Sequence, residues 1–216
     1  MKLKLLSTAA VASGILFQSQ VYAQSVDFEG LLVGVNASVV HSSAKYSGEW
    51  SGLGIVSQSA RKLTGGVDVS YSKAFGKSML FGVGASYQPL SHAMSAEKIY
   101  FLGDDTGMRL SSKAKNHFSF YAKPTFLLDD DTAIYGKFGY HSAQLTLNVK
   151  NIPGPDSKSK NISGVGFGLG IMQKLKPHVY LSLEGEFVGY SKKSFIPRAP
   201  TRLTSSEFKV GLAYKF

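Results

Sequence analysis

Residues 164–171 read Gly164-Val165-Gly166-Phe167-Gly168-Leu169-Gly170-Ile171. Every second residue is apolar and every residue between is glycine. Side chains on a β-strand point alternately to opposite faces. The stretch is therefore a strand with one greasy face and one bare face. It is not a phosphate-cradling loop, because apolar residues interrupt the glycines and no helix follows.

The same period of two recurs along the chain. Upstream it runs through Leu31, Val33, Val35, Ala37 and Val39, through Leu63 to Tyr71, and through Met79 to Tyr87. It continues through Phe118 to Phe126 and Ile134 to Tyr140, and downstream through Val179 to Phe187 and Phe208 to Phe216. Eight stretches result, and the residues between the apolar ones are small or charged. A soluble sandwich also alternates, so the connections decide. Residues 42–62, 89–116, 150–161 and 191–203 read as long connections. Residues 74–78, 129–131 and 174–178 read as short ones. Long and short strictly alternate. An up-and-down barrel in an outer membrane requires this, with turns on the periplasmic side and loops outside, and with an even strand number. Aromatic residues fall near strand ends. Tyr71, Phe75, Phe126, Tyr214 and Phe216 fit a periplasmic girdle, and Tyr87, Phe118, Tyr140, Phe187 and Phe208 an outer one.

Composition agrees. Of 216 residues 44% are hydrophobic and 18% charged, which excludes a disordered chain. Glycine at 23 residues and aromatics at 12% suit strands. The absence of cysteine excludes disulfides and thiolate zinc sites. Lys2 and Lys4 precede a short apolar run from Leu5 to Phe17, and Val21-Tyr22-Ala23 has the small residues of a cleavage site. The expectation is a signal peptide over residues 1–23, cleaved before Gln24, and a barrel over residues 24–216. The formal net charge of +10 stays strongly positive after Lys2 and Lys4 are removed.

The last ten residues, Glu207 to Phe216, end in an aromatic with Phe208, Val210, Leu212 and Tyr214 spaced by two before it. This resembles the C-terminal signature by which outer-membrane barrels are recognised for assembly. Together with Tyr135-Gly136-Lys137-Phe138-Gly139, the 164–170 stretch and Leu181-Ser182-Leu183-Glu184-Gly185-Glu186-Phe187, it resembles the outer-membrane protein beta-barrel domain family. That resemblance covers the mature chain. It implies an all-β, eight-stranded antiparallel up-and-down transmembrane barrel in the outer membrane, similar to opacity proteins and OmpA-type domains. It says little about function, because such proteins differ mainly in their loops.

An eight-stranded barrel is filled by its own side chains. Charges on the inward faces must then be paired. Pairing about Asp130 sets Lys123 opposite Lys137. Pairing about Lys176 sets Glu184 beside Gly168 and Glu186 beside Gly166. The expected lumen network joins Asp68, Glu184 and Glu186 to Lys123, Lys137 and Lys209.

Catalytic patterns are weak. His141 and Ser142 are adjacent and so face opposite ways. His117 and Ser119 share a face, but no carboxylate on that strand orients the histidine. Two histidines without a third ligand do not make a metal site; they read as lumen residues bonded to Ser and Tyr hydroxyls. No enzyme, metal or cofactor is expected.

The long connections hold Arg61, Lys62, Lys192, Lys193, Arg198 and Arg202, with Tyr46 and Trp50 in the first of them. These are the candidate binding residues. Expected partners are outer-membrane lipid and lipopolysaccharide, whose phosphates suit the basic rim, the barrel assembly machinery, and an anionic host or surface polymer. Nucleic acid is not expected, and the protein reads as a monomer. The function expected is a structural or adhesin-like surface protein. The alternatives are a narrow small-solute pore and, third, a lipid A-modifying enzyme.

Overall fold

The computed structural model of the chain describes residues 27–46, 56–89, 92–93, 97–101, 104–150, 157–196 and 199–216. The expected leader and its cleavage site lie outside the described residues, as do Trp50 and Arg198. Strands β1 (Gly30–Tyr46), β2 (Val56–Ala74) and β3 (Met79–Gln88) are followed by the short β4 (His92–Ala93) and β5 (Glu97–Phe101). Then come β6 (Asp104–Leu127), β7 (Thr132–Lys150), β8 (Ser157–Lys176) and β9 (Val179–Tyr190). The short β10 (Lys193–Ile196) precedes β11 (Ala199–Lys215).

The eight long strands pair in the order β1-β2-β3-β6-β7-β8-β9-β11, all antiparallel, and β11 returns to β1. That closing ladder runs from Leu32↔Lys215 to Tyr46↔Thr201. The sheet is thus a closed eight-stranded barrel. In the part that spans the membrane, closure gives each long strand a partner on both sides, which a hydrocarbon environment demands. The three short strands decorate its rim against β6 and β11.

Alternation sets the two faces. Val35, Leu63 and Val165 are 61%, 71% and 71% exposed on the outside. Leu32, Thr64 and Gly164 beside them face the lumen and are buried. A wall of exposed Val, Leu and Phe is stable only against lipid.

The connections read as long loops are largely strand. β1 and β2 stay paired as far as Tyr46↔Val56, and β6 spans 24 residues. A membrane-spanning strand needs only about 9–11 residues, so the outer parts of these strands project beyond the bilayer. Continued pairing satisfies their backbone groups in water as well as in lipid. Tyr46, Arg61, Lys62, Lys193 and Arg202 are therefore strand residues, and Lys192 sits between β9 and β10.

Three further details depart from the sequence reading. First, the lumen is not polar throughout. Phe28, Leu32, Leu80, Leu127, Met172 and Tyr180 form a buried apolar layer at the periplasmic end. Ala44, Ala143, Leu145, Ile162, Val188, Tyr190 and Leu203 form another towards the outside. Second, Glu184 pairs with Gly170 and Glu186 with Gly168, two residues away from the expected partners. The reversal is a two-residue turn at Pro177 and His178, with His178 at φ 69°, and the ladder shifts between Lys174 and Lys176. Proline has no N–H to give a ladder, which displaces the turn beyond Lys176. Third, β6 carries a bulge between Lys115 and Phe118. Asn116 takes φ 53° there, a left-handed geometry that Asn tolerates. The bulge flips the parity, so that Ala114 and Ser112 face inward beyond it although His117 and Ser119 do so before it.

The periplasmic mouth is closed by the residues just before β1. Phe28 is buried against Tyr180, ring centroids 5.3 Å apart. The Tyr180 hydroxyl donates to the Asp27 carbonyl, and Lys174 Nζ reaches the Asp27 carboxylate at 2.7 Å. The turn at Asp129 is self-capped: its Oδ1 accepts the Asp131 N–H at 2.9 Å, which holds the Asp129 carboxyl below its usual pKa.

Candidate functional site

Between the two apolar layers lies the charged one. Ala122↔Phe138 and Thr125↔Tyr135 bracket Lys123 and place it level with Lys137, both buried. β9 and β11 bring Glu184 opposite Lys209. Lys209 is the hub. Its Nζ lies 3.0 Å from Glu184 and 3.4 Å from Glu207, and it also bonds Glu186. Lys137 bridges Glu184 at 3.3 Å and Asp68 at 3.8 Å. It rests on the Tyr121 ring, 4.0 Å from the centroid, while the Tyr121 hydroxyl donates to Asp68 at 2.7 Å. Tyr135 donates to Glu184 at 3.1 Å.

Lys123 takes a different place from the one expected. It donates to Ser70 Oγ at 3.0 Å and lies 5.6 Å from the Tyr135 ring, with no carboxylate within ion-pair distance among the described residues. Its lysine neighbour Lys137 already occupies Asp68.

Glu207 was not anticipated in this network. It shares the inward face of β11 with Lys209, so the period of two already implied it. The histidines were also misassigned in their partners. Gln88 Nε2 donates to Glu207 at 2.5 Å, so its Oε1 faces His117 Nδ1 at 3.1 Å. His117 then donates from Nδ1 and accepts at Nε2 from His141 Nδ1, 3.1 Å away, with the rings stacked. His141 Nε2 is left facing Glu186 at 3.6 Å. The chain of contacts runs from Glu207 through Gln88, His117 and His141 to Glu186, and Lys209 closes it into a ring. Neighbouring glycines make room for rings rather than for carboxylates. A Cβ at Gly166 would meet the His141 ring, and one at Gly170 the Tyr135 ring.

Lys123 apart, the buried charges of this layer are paired with one another. Each ion costs several kcal/mol to desolvate, and only partners on several sides offset that. The cavity beside Asp68, Lys137 and Lys209 is about 60 Å³, a space of water size.

The outer end differs. Arg61, Lys62, Lys113, Lys160, Lys192 and Arg202 are exposed there. Among the residues whose side chains are described, that end exposes no carboxylate. His141 and Ser142 face opposite ways, as adjacent strand residues must.

The outer membrane protein beta-barrel domain family matches the chain over residues 8–216. The chain belongs to this family. This outer-membrane family thus accounts for the closed barrel and its exposed apolar wall. Solved barrels similar to this member include the outer membrane protease OmpT of Escherichia coli, at 9% identity and TM-score 0.54, covering 86% of this chain and 96% of that one. The Neisserial surface protein A matches at 16% identity and TM-score 0.48, covering 85% and 97%. The attachment invasion locus protein Ail of Yersinia pestis matches at 13% identity and TM-score 0.46, covering 85% and 99%. No curated protein matches the sequence.

Proposed function

We propose that this outer-membrane barrel is a closed surface protein that works from its outer rim, binding anionic groups. The observation that carries the reading is the filled lumen. Two apolar layers enclose a paired charged layer, so a solute would have to displace packed Leu and Tyr side chains on either side of it. The exposed cations at the outer end supply the binding chemistry. Guanidinium and ammonium groups suit phosphate or sulfate, and lipopolysaccharide or an anionic host polymer presents such groups. No catalytic step is assigned to the histidines, which contact each other, Gln88 and Glu186.

Two measurements test this. The refolded chain in a planar bilayer is expected to show no discrete conductance; stable single-channel steps would revive the pore reading. Dextran sulfate, a soluble polyanion, is expected to bind the refolded barrel and to be released as salt is raised. An Arg61→Gln/Arg202→Gln variant that bound it as well as the parent would overturn the rim assignment.

Assembly is the second part of the proposal. Phe208, Val210, Leu212 and Tyr214 point outward along β11, and Phe216 is exposed just past its end, where assembly machinery can meet them. Phe216→Ser is expected to lower the heat-modifiable protein in outer-membrane fractions. Unchanged yield would remove that role.

A further inference from the structure

Lys123 is a buried cation beside a cavity. Its ammonium group has three N–H bonds. One goes to Ser70 Oγ at 3.0 Å, and the Tyr135 ring lies 5.6 Å away. No carboxylate stands within ion-pair distance of it among the described residues. A buried charge without a counter-charge is costly, and neutral partners offset only part of that cost.

The cavity is about 60 Å³, room for a water-sized occupant. Lys123, Lys137 and Lys209 line it against two acidic residues, Asp68 and Glu184. Both carboxylates are already engaged. Asp68 takes the Tyr121 hydroxyl and Lys137, and Glu184 takes Tyr135, Lys137 and Lys209. The lining therefore carries one positive charge in excess, and Lys123 is where it sits. The other two carboxylates of the layer, Glu186 and Glu207, lie farther out along β9 and β11, on the histidine side of Lys209.

The wall across from Lys123 is shaped for an occupant. β6 stands four strands from β11, the far side of an eight-stranded barrel. There Ser182, Gly211 and Asn36 form one lateral row across β9, β11 and β1. A Cβ at Gly211 would meet Ser182 Oγ, so the hydroxyl stands over a bare glycine. Asn36 Oδ1 is buried and makes no hydrogen bond among the described residues. A half-turn of that amide brings its N–H groups to the same place. The row thus offers a hydroxyl and an amide as donors.

We infer that this cavity binds one small monovalent anion of the halide class, chloride, between the Lys123 ammonium and the donors of Ser182 and Asn36. The class follows from the lining. A single surplus positive charge calls for a single negative one. Water would accept an N–H from Lys123 but leave its charge unbalanced. Phosphate and sulfate exceed a water-sized space, and a cation would meet three ammonium groups. The apolar layers on either side enclose the ion, so the site is a counter-ion seat in a closed lumen. It is independent of what the rim binds.

The test uses the refolded full chain in detergent micelles, with chloride exchanged at constant ionic strength for gluconate, which is too large for the cavity. The urea unfolding midpoint is expected to rise with chloride and then level off, as one site on the folded state requires. Lys123→Met is expected to abolish the rise. Gly211→Ala fills the seat and leaves every charge in place, so it carries the test if Lys123→Met does not fold. It is expected to raise the chloride concentration needed roughly tenfold or more. Both variants are checked for heat-modifiable mobility. Arg61→Gln/Arg202→Gln is expected to keep the rise. In crystals grown from bromide, an anomalous scattering peak is expected between Lys123 and Ser182. A midpoint indifferent to chloride would overturn the site. So would bromide peaks on the outer surface alone, an adventitious ion only. A rise that survives unchanged in the folded lumen variants, or that vanishes with the rim arginines, would place the anion elsewhere and overturn it too.

Discussion

The two sides of the barrel wall solve opposite problems with the same residues in alternation. Outward, Phe138, Phe167 and Phe187 need no specific partner, because lipid tails accept any apolar side chain. Inward, Lys137, Glu184 and Glu186 each need particular atoms at particular distances. The outer wall therefore tolerates exchange, while the lumen does not. Within the lumen the same contrast repeats between the charged layer and the apolar layers that flank it.

The strongest way to break this comparison is to remove the hub. Lys209→Met would leave Glu184, Glu186 and Glu207 without their shared cation. It is expected to cost about 3–5 kcal/mol, the loss seen when one partner of a buried ion cluster is deleted, measured by urea unfolding of the barrel in lipid vesicles. Adding Glu184→Gln and Glu186→Gln to that variant is expected to recover part of the loss, because fewer unpaired charges remain. A further loss would mean that the carboxylates are stabilised by something other than Lys209.

Leu145→Ala, in the outer apolar layer, is expected to cost about 2–4 kcal/mol through the cavity it opens. A cost below 1 kcal/mol would show that layer to be loosely packed and the lumen less sealed than its geometry indicates. On the outside, Lys113→Gln is expected to change stability by no more than about 0.5 kcal/mol. A larger change would place rim cations in the fold rather than in binding.

The smallest effect concerns pH. The Asp131 N–H holds the Asp129 carboxyl below its usual pKa. Its contribution is therefore full above the unfolded-state pKa and fades as pH falls through the lower folded value. Parent and Asp129→Asn unfolding curves are expected to differ slightly at neutral pH and to converge in acid below the ordinary carboxylate range. Convergence on raising the pH instead would contradict the assignment.

Much of the fold was legible because alternation is a local signal. Val165, Phe167 and Leu169 announce their face without reference to any other strand, and the long and short connections give the topology. Facing also brings Lys137, Glu184 and Lys209 into one lumen. What alternation does not carry is register. One extra residue near Lys174, together with a proline turn, moved Glu184 and Glu186 by two positions. Nor does it say what fills the lumen level by level. Leu203 lies in a stretch read as a connection, and Leu145 and Ile162 lie just outside the alternating runs, where a period of two was not sought. Glu207 was visible and overlooked, on the same face as Lys209. The placement of Lys123 depends on competition for Asp68, which no local pattern records.

The bulge at Asn116 makes β6 two strands joined end to end, each with its own phase. Elsewhere on the barrel, a gain or loss of one residue would turn an entire outer extension inside out, so length there changes tolerably only by twos. At Asn116 the phase is already broken. Deleting that residue would set Lys115 next to His117 and restore plain alternation, with Ala114 and Ser112 still inward and Lys113 still outward. The outer part of β6 thus keeps its facing with or without the bulge, and Asn116 marks a place where the strand has taken in one residue without turning over.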